Sequence, residues 1–137
     1  MRLYNVYGKL VNKNVSRYTI DWDKKSRSIP QWKMKQFLKP RWGAHICFEE
    51  FPVYGSLLKV DIFNATLKIA IEINGPQHYQ FHHFHNKSPA NYLKGIKNDV
   101  KKEKWLSTNG IKLIEIKDSE IELLSREFFT ERMSESL

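Results

Sequence analysis

The chain predicts an α/β fold with element order α-β-β-β-α-β-α and a mixed sheet of four to five strands flanked by helices. Three observations carry that expectation. Residues 45–74 hold three apolar runs separated by two tight turns, Tyr54-Gly55-Ser56 and Asn64-Ala65-Thr66, which reads as an antiparallel meander. Ser88-Pro89 then opens a long segment that ends at Asn109-Gly110, the signature of a capped helix. A further run, Ile111 to Ile116, follows that helix and returns the chain to the sheet.

The elements follow in order. Residues 1–27 are polar, basic and aromatic, and Val15 to Trp22 is a short strand candidate. Ser28 caps a first helix, Pro30 suits its first turn and Gln31 completes a capping box. That helix is expected to run to about Leu38 and to stop before Pro40. The strands are expected at His45–Val53, Leu57–Phe63, Leu67–Asn74 and Ile111–Ile116. On the long helix Leu93, Ile96, Val100 and Leu106 approximate one apolar stripe. A last helix is expected over Ser119–Met133. The whole forms one domain over residues 1–137, with a basic extension and first helix (1–44), a core (45–117) and a terminal helix (118–137).

Composition narrows the class. Of 137 residues 41% are hydrophobic and 28% charged, which suits a globular chain rather than a disordered one. No run is apolar enough to span a bilayer, and the first residues lack the apolar core of a signal peptide. Cys47 stands alone, which excludes an internal disulfide and a four-cysteine zinc site. An intracellular, cytoplasmic location is the expectation. A net charge of +8 points to a polyanionic partner, nucleic acid first.

The chemistry lies in two carboxylates inside apolar runs, Asp61 in Val60-Asp61-Ile62-Phe63 and Glu72 in Ile71-Glu72-Ile73-Asn74. Burying an unpaired carboxylate costs several kcal/mol. Alternation puts Lys59, Asp61 and Phe63 on one face, and Leu58, Val60 and Ile62 on the other. Ala70, Glu72 and Asn74 share a face of the next strand, opposite Ile69, Ile71 and Ile73. A tight meander sets Asp61 beside Glu72, where a divalent cation would relieve their repulsion. Mg²⁺ (or Mn²⁺) takes hard oxygen ligands, and the strand carbonyl of Ile73 could add to the two acids. The bland alternative is pairing with Lys59 and Lys68 at a sheet edge.

The order Asp61, Glu72-x-Asn74-Gly75-x-Gln77-His78-Tyr79, Asn98-Asp99-x-x-Lys102 and Asn109-Gly110-Ile111-Lys112-Leu113-Ile114 resembles the PD-(D/E)XK nucleases. Within that superfamily it is most similar to the very-short-patch-repair-like and EDxHD homing endonucleases. The resemblance covers residues 48–116. It implies a restriction-endonuclease-like core and a Mg²⁺-dependent DNA endonuclease of phage or mobile-element type, with Asp61 as the central metal ligand. It extends a catalytic part to His78, as general base or acid, with Gln77 beside it. Glu72 either binds metal or orients His78. One of Glu49 and Glu50 matches the first acid of the EDxHD pattern and, on the resemblance, holds the metal together with Asp61 and Glu72, with Glu50 as the named ligand. Asp99 either orients His78 or reaches the metal through water. Asn74 departs from the superfamily, because many members carry lysine there and an amide supplies no positive charge. Gln77, His78 and Lys102 are the candidates to replace it.

The remaining charge reads as DNA contact. Lys24, Lys25, Arg27, Lys33, Lys35, Lys39 and Arg41 crowd the first part beside Trp22, Trp32 and Trp42, and Lys102 lies among the lysines of the long helix. His78, His82, His83 and His85 match no common zinc template, and a loop touching DNA at the rim of the site suits them better. The expected partner is double-stranded DNA, with no membrane. A chain this size nicks as a monomer or cuts both strands as a homodimer. Junction- or mismatch-directed cleavage is the neighbouring reading. A non-catalytic nucleic-acid-binding module is the rival of a different class.

Overall fold

The computed structural model describes residues 1–75 and 89–135. Its elements are β1 (Arg2–Tyr4), β2 (Leu10–Asn12), α1 (Ile29–Trp42), β3 (Cys47–Pro52), β4 (Lys59–Asn64), β5 (Ile69–Asn74), α2 (Pro89–Thr108), β6 (Lys112–Lys117) and α3 (Arg126–Glu135). The expected α/β order α-β-β-β-α-β-α is present, with a hairpin added in front. The main sheet runs β3-β4-β5-β6. The short turns make β3, β4 and β5 antiparallel neighbours, and α2 carries the chain across to β6, which lies parallel to β5. Among the described residues no helix is long and apolar enough to cross a membrane.

The sheet is buried on both faces. Ile62, Ile69, Ile71, Ile114 and Ile116 pack on Met34, Leu38 and Trp42 of α1 and Phe129 of α3. On the other face Phe48, Phe51, Val60, Phe63 and Ala70 meet Trp105 and Leu106 at the end of α2, together with the N-terminal hairpin. Phe51 anchors this layer, with its ring against those of Tyr18, Phe48, Tyr54, Phe63 and Trp105. Phe51→Ala is expected to cost about 3–5 kcal/mol, read by urea unfolding. A loss below about 1 kcal/mol would show that the aromatic layer can collapse around the void.

Several expectations need correction. Residues 15–22 form a 3-10 turn (Ser16–Tyr18) and a single bridge, Thr19 to Phe48, rather than a strand. The β1–β2 hairpin was not foreseen. It is tied to the core by Trp105 Nε1 donating to the Tyr4 carbonyl at 2.6 Å and Tyr54 Oη donating to that of Met1 at 2.8 Å. Helix α1 passes through Pro40 to Trp42. The ring costs one backbone bond in the last turn, while burial of Leu38 and Trp42 on either side of it holds the helix on the sheet. Ser28 caps α1 by accepting from the Gln31 N–H at 3.2 Å, but the Gln31 side chain turns to two glutamates instead of closing a capping box. The last helix is broken into a 3-10 segment (Asp118–Leu123) and α3, because Leu124 is extended and Ser125 Oγ accepts from the Phe128 N–H at 3.1 Å, restarting the helix. The α2 stripe is mostly not core. Leu93, Ile96 and Val100 are exposed, and only the turn carrying Trp105 and Leu106 is buried.

Candidate active site

Asp61 and Glu72 meet where β4 and β5 part. The ladder pairs Asn64 with Ile69, Phe63 with Ala70 and Ile62 with Ile71. The next pair in that register would be Asp61 with Glu72. There the side chains take over the role of the backbone. Glu72 Oε2 accepts from the Asp61 N–H at 3.1 Å, and Asp61 Oδ2 accepts from the Ile73 N–H at 2.8 Å. Asp61 is held up to about 7 by burial first, then by the charge of Glu72 and a hydrogen bond between the two carboxyl groups. The Ile73 N–H and the Lys102 charge pull in the other direction without cancelling this.

The strands also change phase at this level. Val60 and Phe63 lie in one core layer and Ile62 in the other, so Val60 and Ile62 do not share the face that simple alternation assigns. On β3, Phe48 and Phe51 share a layer in the same way. Between them Glu50 has φ 53°, in the left-handed region that costs a side-chain-bearing residue about 1 kcal/mol or more. Its neighbours pair Glu49 with Ile62 and Phe51 with Val60, so Glu50 stands opposite Asp61. Both strands are irregular where the acids lie.

Among the described residues two clefts open at this junction. One, of about 270 Å³, is lined by Arg27, Ser28, Gln31, Glu50, Asp61 and Ile73. The other, of about 70 Å³, is lined by Glu72, Asn74, Asp99, Lys102, Glu103, Leu113 and Glu115. Lys102 reaches from α2 to ion-pair with Glu72, and both side chains are mostly buried. A positive charge therefore does stand beside Glu72, supplied from the helix. Asn74 Nδ2 donates to Glu115 Oε2 at 3.4 Å on the wall of that same cleft.

The two candidate glutamates of β3 part company. Glu49 lies on the α1 side, bound by Ser26 Oγ at 2.5 Å, Gln31 Nε2 at 2.7 Å and Lys35 Nζ at 2.9 Å. Glu50 lines the Asp61 cleft. Asp99 lines the Glu72 cleft. His78, Gln77, His82, His83 and His85 lie outside the described residues. Among the described residues no group of three His, Cys, Asp or Glu side chains converges as a metal cage. Asp61 opens on the larger cleft and Glu72 on the smaller one; oxygen ligands of this kind suit Mg²⁺, which keeps most of its waters and takes substrate oxygens.

The basic residues divide as well. Lys35 is a correction, since it is fully buried and ion-paired with Glu49, so it cannot face DNA. Lys33 pairs with Glu122 and Lys39 with Asp23 on the surface. Arg41 folds back over the Phe37 ring and donates to the Phe37 carbonyl at 2.8 Å. Lys24, Lys25 and Arg27 remain exposed, and Arg27 alone of the three lines the Asp61 cleft. Trp42 belongs to the core. Gln31 is the site residue that was missed. Its only sequence signal is its place in the first turn of a capped helix, which reads as capping.

No protein-family profile and no solved structure matches this chain. It is similar to Uncharacterized protein 033L of Invertebrate iridescent virus 3, at 33% identity over 73 residues. The match covers 53% of this chain and 38% of that relative.

Proposed function

We propose that this chain is a metal-dependent endonuclease that hydrolyses phosphodiester bonds in double-stranded DNA. One observation carries the reading. Two carboxyl groups from neighbouring strands are pressed together, largely out of water, beside a lysine in a chain of net charge +8. A cation between them would offset the burial and the mutual charge that raise the Asp61 carboxyl to about 7. The sequence resemblance to PD-(D/E)XK enzymes supports the same assignment, including a restriction-endonuclease-like core and site-directed cleavage of the homing type. Junction- or mismatch-directed cleavage would use the same groups.

Asp61 and Glu72 would hold Mg²⁺ or Mn²⁺, with Ile73 at the cleft wall. When bound, the ion acidifies water and offsets charge on the phosphate. Lys102 sets a positive charge against Glu72, the part that Asn74 cannot play. Arg27 and the start of α1 face the larger cleft, where an anionic backbone is favoured by the side-chain charge and by the helix end together. His78 is assigned the proton-transfer part on the resemblance alone.

Supercoiled plasmid incubated with Mg²⁺ or Mn²⁺ tests this. Wild type is expected to nick or linearise it, chelation to stop the reaction, and Asp61→Asn to slow it by about 100-fold or more. Equal cleavage by Asp61→Asn would remove the assignment. Tight DNA binding with no cleavage under any metal would favour the binding module, a reading to which the capture of Glu72 by Lys102 lends some weight.

A further inference from the structure

Helix α2 is 20 residues long, yet its buried side chains are Trp105 and Leu106 near its end. Its earlier turns carry Leu93, Ile96 and Val100, which are 56%, 41% and 56% exposed and belong to neither core layer. A helical stretch of that length without tertiary packing is marginal in water. At about 3.6 residues per turn the three aliphatics form one stripe, roughly opposite Lys102, which turns inward to Glu72. Their spacing is that of heptad positions a, d and a. One flank of the stripe is basic. Lys97 and Lys104 stand at the e positions, with Lys94 and Lys101 beyond them, and all four are exposed. Asp99 stands at a g position on the other flank, and Glu103 follows on that side.

We propose that the outward stripe of α2 is a docking surface for a second copy of this chain, with the two α2 helices parallel about a two-fold axis. The charge pattern selects this occupant. In a parallel pair each g position faces an e position of the partner. Asp99 therefore meets the partner's Lys104, and the symmetry repeats the contact. An antiparallel pair would set the lysine flank against itself. A flat anionic membrane would meet Asp99 and Glu103 along with the lysines. DNA would engage the lysines and leave three aliphatics in water. The seam ends at Val100, because the seam positions after it are Glu103 and Ser107. It is short, so the dimer is weak, with a dissociation constant of about 10–100 µM. The inference stands apart from the metal-dependent reading. It brings the partner's Lys104 to the wall of the cleft that Glu72, Asp99 and Glu103 line.

Sedimentation equilibrium of the full chain tests this at about 0.15 M salt, where repulsion between two copies of charge +8 is screened beyond about 8 Å. Wild type is expected to pass from monomer to dimer between about 1 µM and about 1 mM. Ile96→Lys is expected to weaken association about tenfold or more. Lys104→Glu and Asp99→Lys, each alone, should weaken it several-fold. Mixed in equal amounts, those two variants should associate more tightly than either does with itself, because every flank then meets an opposite charge. A wild type that stays monomeric, or a dimer untouched by Ile96→Lys, would overturn the inference. No gain on mixing would overturn the parallel arrangement and the proposal with it. A monomer that binds phosphatidylserine vesicles, and loses them in Ile96→Lys, would give this face to a membrane instead. If Ile96→Lys does not fold, the mixing of the two charge variants decides.

Discussion

Raising the pH from about 5 to about 8 without metal is expected to destabilise the wild-type protein relative to Asp61→Asn. The sign follows from the direction of the shift. Asp61 sits at about 7 in the folded chain and near 3.9 when unfolded. Between those values the folded state holds a proton that the unfolded state has released. Stability therefore falls as pH rises through this window, and the loss is complete above about 7. The slope is at most about 1.4 kcal/mol per pH unit, so the total is a few kcal/mol. Asparagine cannot ionise and removes the dependence. Urea unfolding at several pH values in a chelating buffer measures the difference between the two proteins. Adding Mg²⁺ or Mn²⁺ at pH 8 should return stability to wild type and much less to Asp61→Asn, since ligands that bind only the folded state stabilise it. A wild type that gains stability over the variant as pH rises would mean that the acid pair is not under the strain described.

Lys35→Met is expected to produce the largest loss of fold stability from a charged position, about 3–5 kcal/mol or roughly 10–20 °C in Tm. Methionine fills most of the lysine volume, so the cost comes mainly from charge. Glu49 would be left with its two neutral donors and no cation, largely out of water. Combining Lys35→Met with Glu49→Gln should recover much of the loss, because the amide keeps an acceptor for Ser26 and Gln31 and carries no charge. Thermal unfolding of the two singles and the double settles the matter. Equal destabilisation of Lys35→Met and the double would assign the effect to packing. DNA affinity measured below the transition should not change with Lys35→Met, in contrast to a loss with Arg27→Ala, which lies exposed at the cleft.

Much of the architecture was legible because the chain marks its punctuation. Gly55 with φ 84° and Gly110 with φ 67° stand where the β3–β4 turn and the end of α2 need them. Ser28 caps α1 as its position implies. The N-terminal hairpin was missed because its strands span three residues each, too short for a period to show. The α2 stripe misled because spacing shows which residues share a side of a helix. It does not show whether that side reaches the sheet, and here only the last turns do.

The site shows the same division. Asp61 and Glu72 were recognisable because a carboxylate inside an apolar strand is costly and so conspicuous. Glu49 and Glu50, adjacent and chemically alike, could not be told apart in the sequence. A left-handed residue at Glu50 and a buried lysine one helix away separate them. Lys35 looked like a surface cation because composition carries no depth.

The linear chain by itself determined the α/β order, the turns and the two conspicuous acids, since these follow from local sterics, period and the cost of desolvation. Only the tertiary structure decided which charges are buried, that Lys102 stands against Glu72, and that Gln31 spans two glutamates. Those facts depend on residues 11 to 30 positions apart meeting in the packed chain, and no local pattern encodes which distant side chain fills a given space.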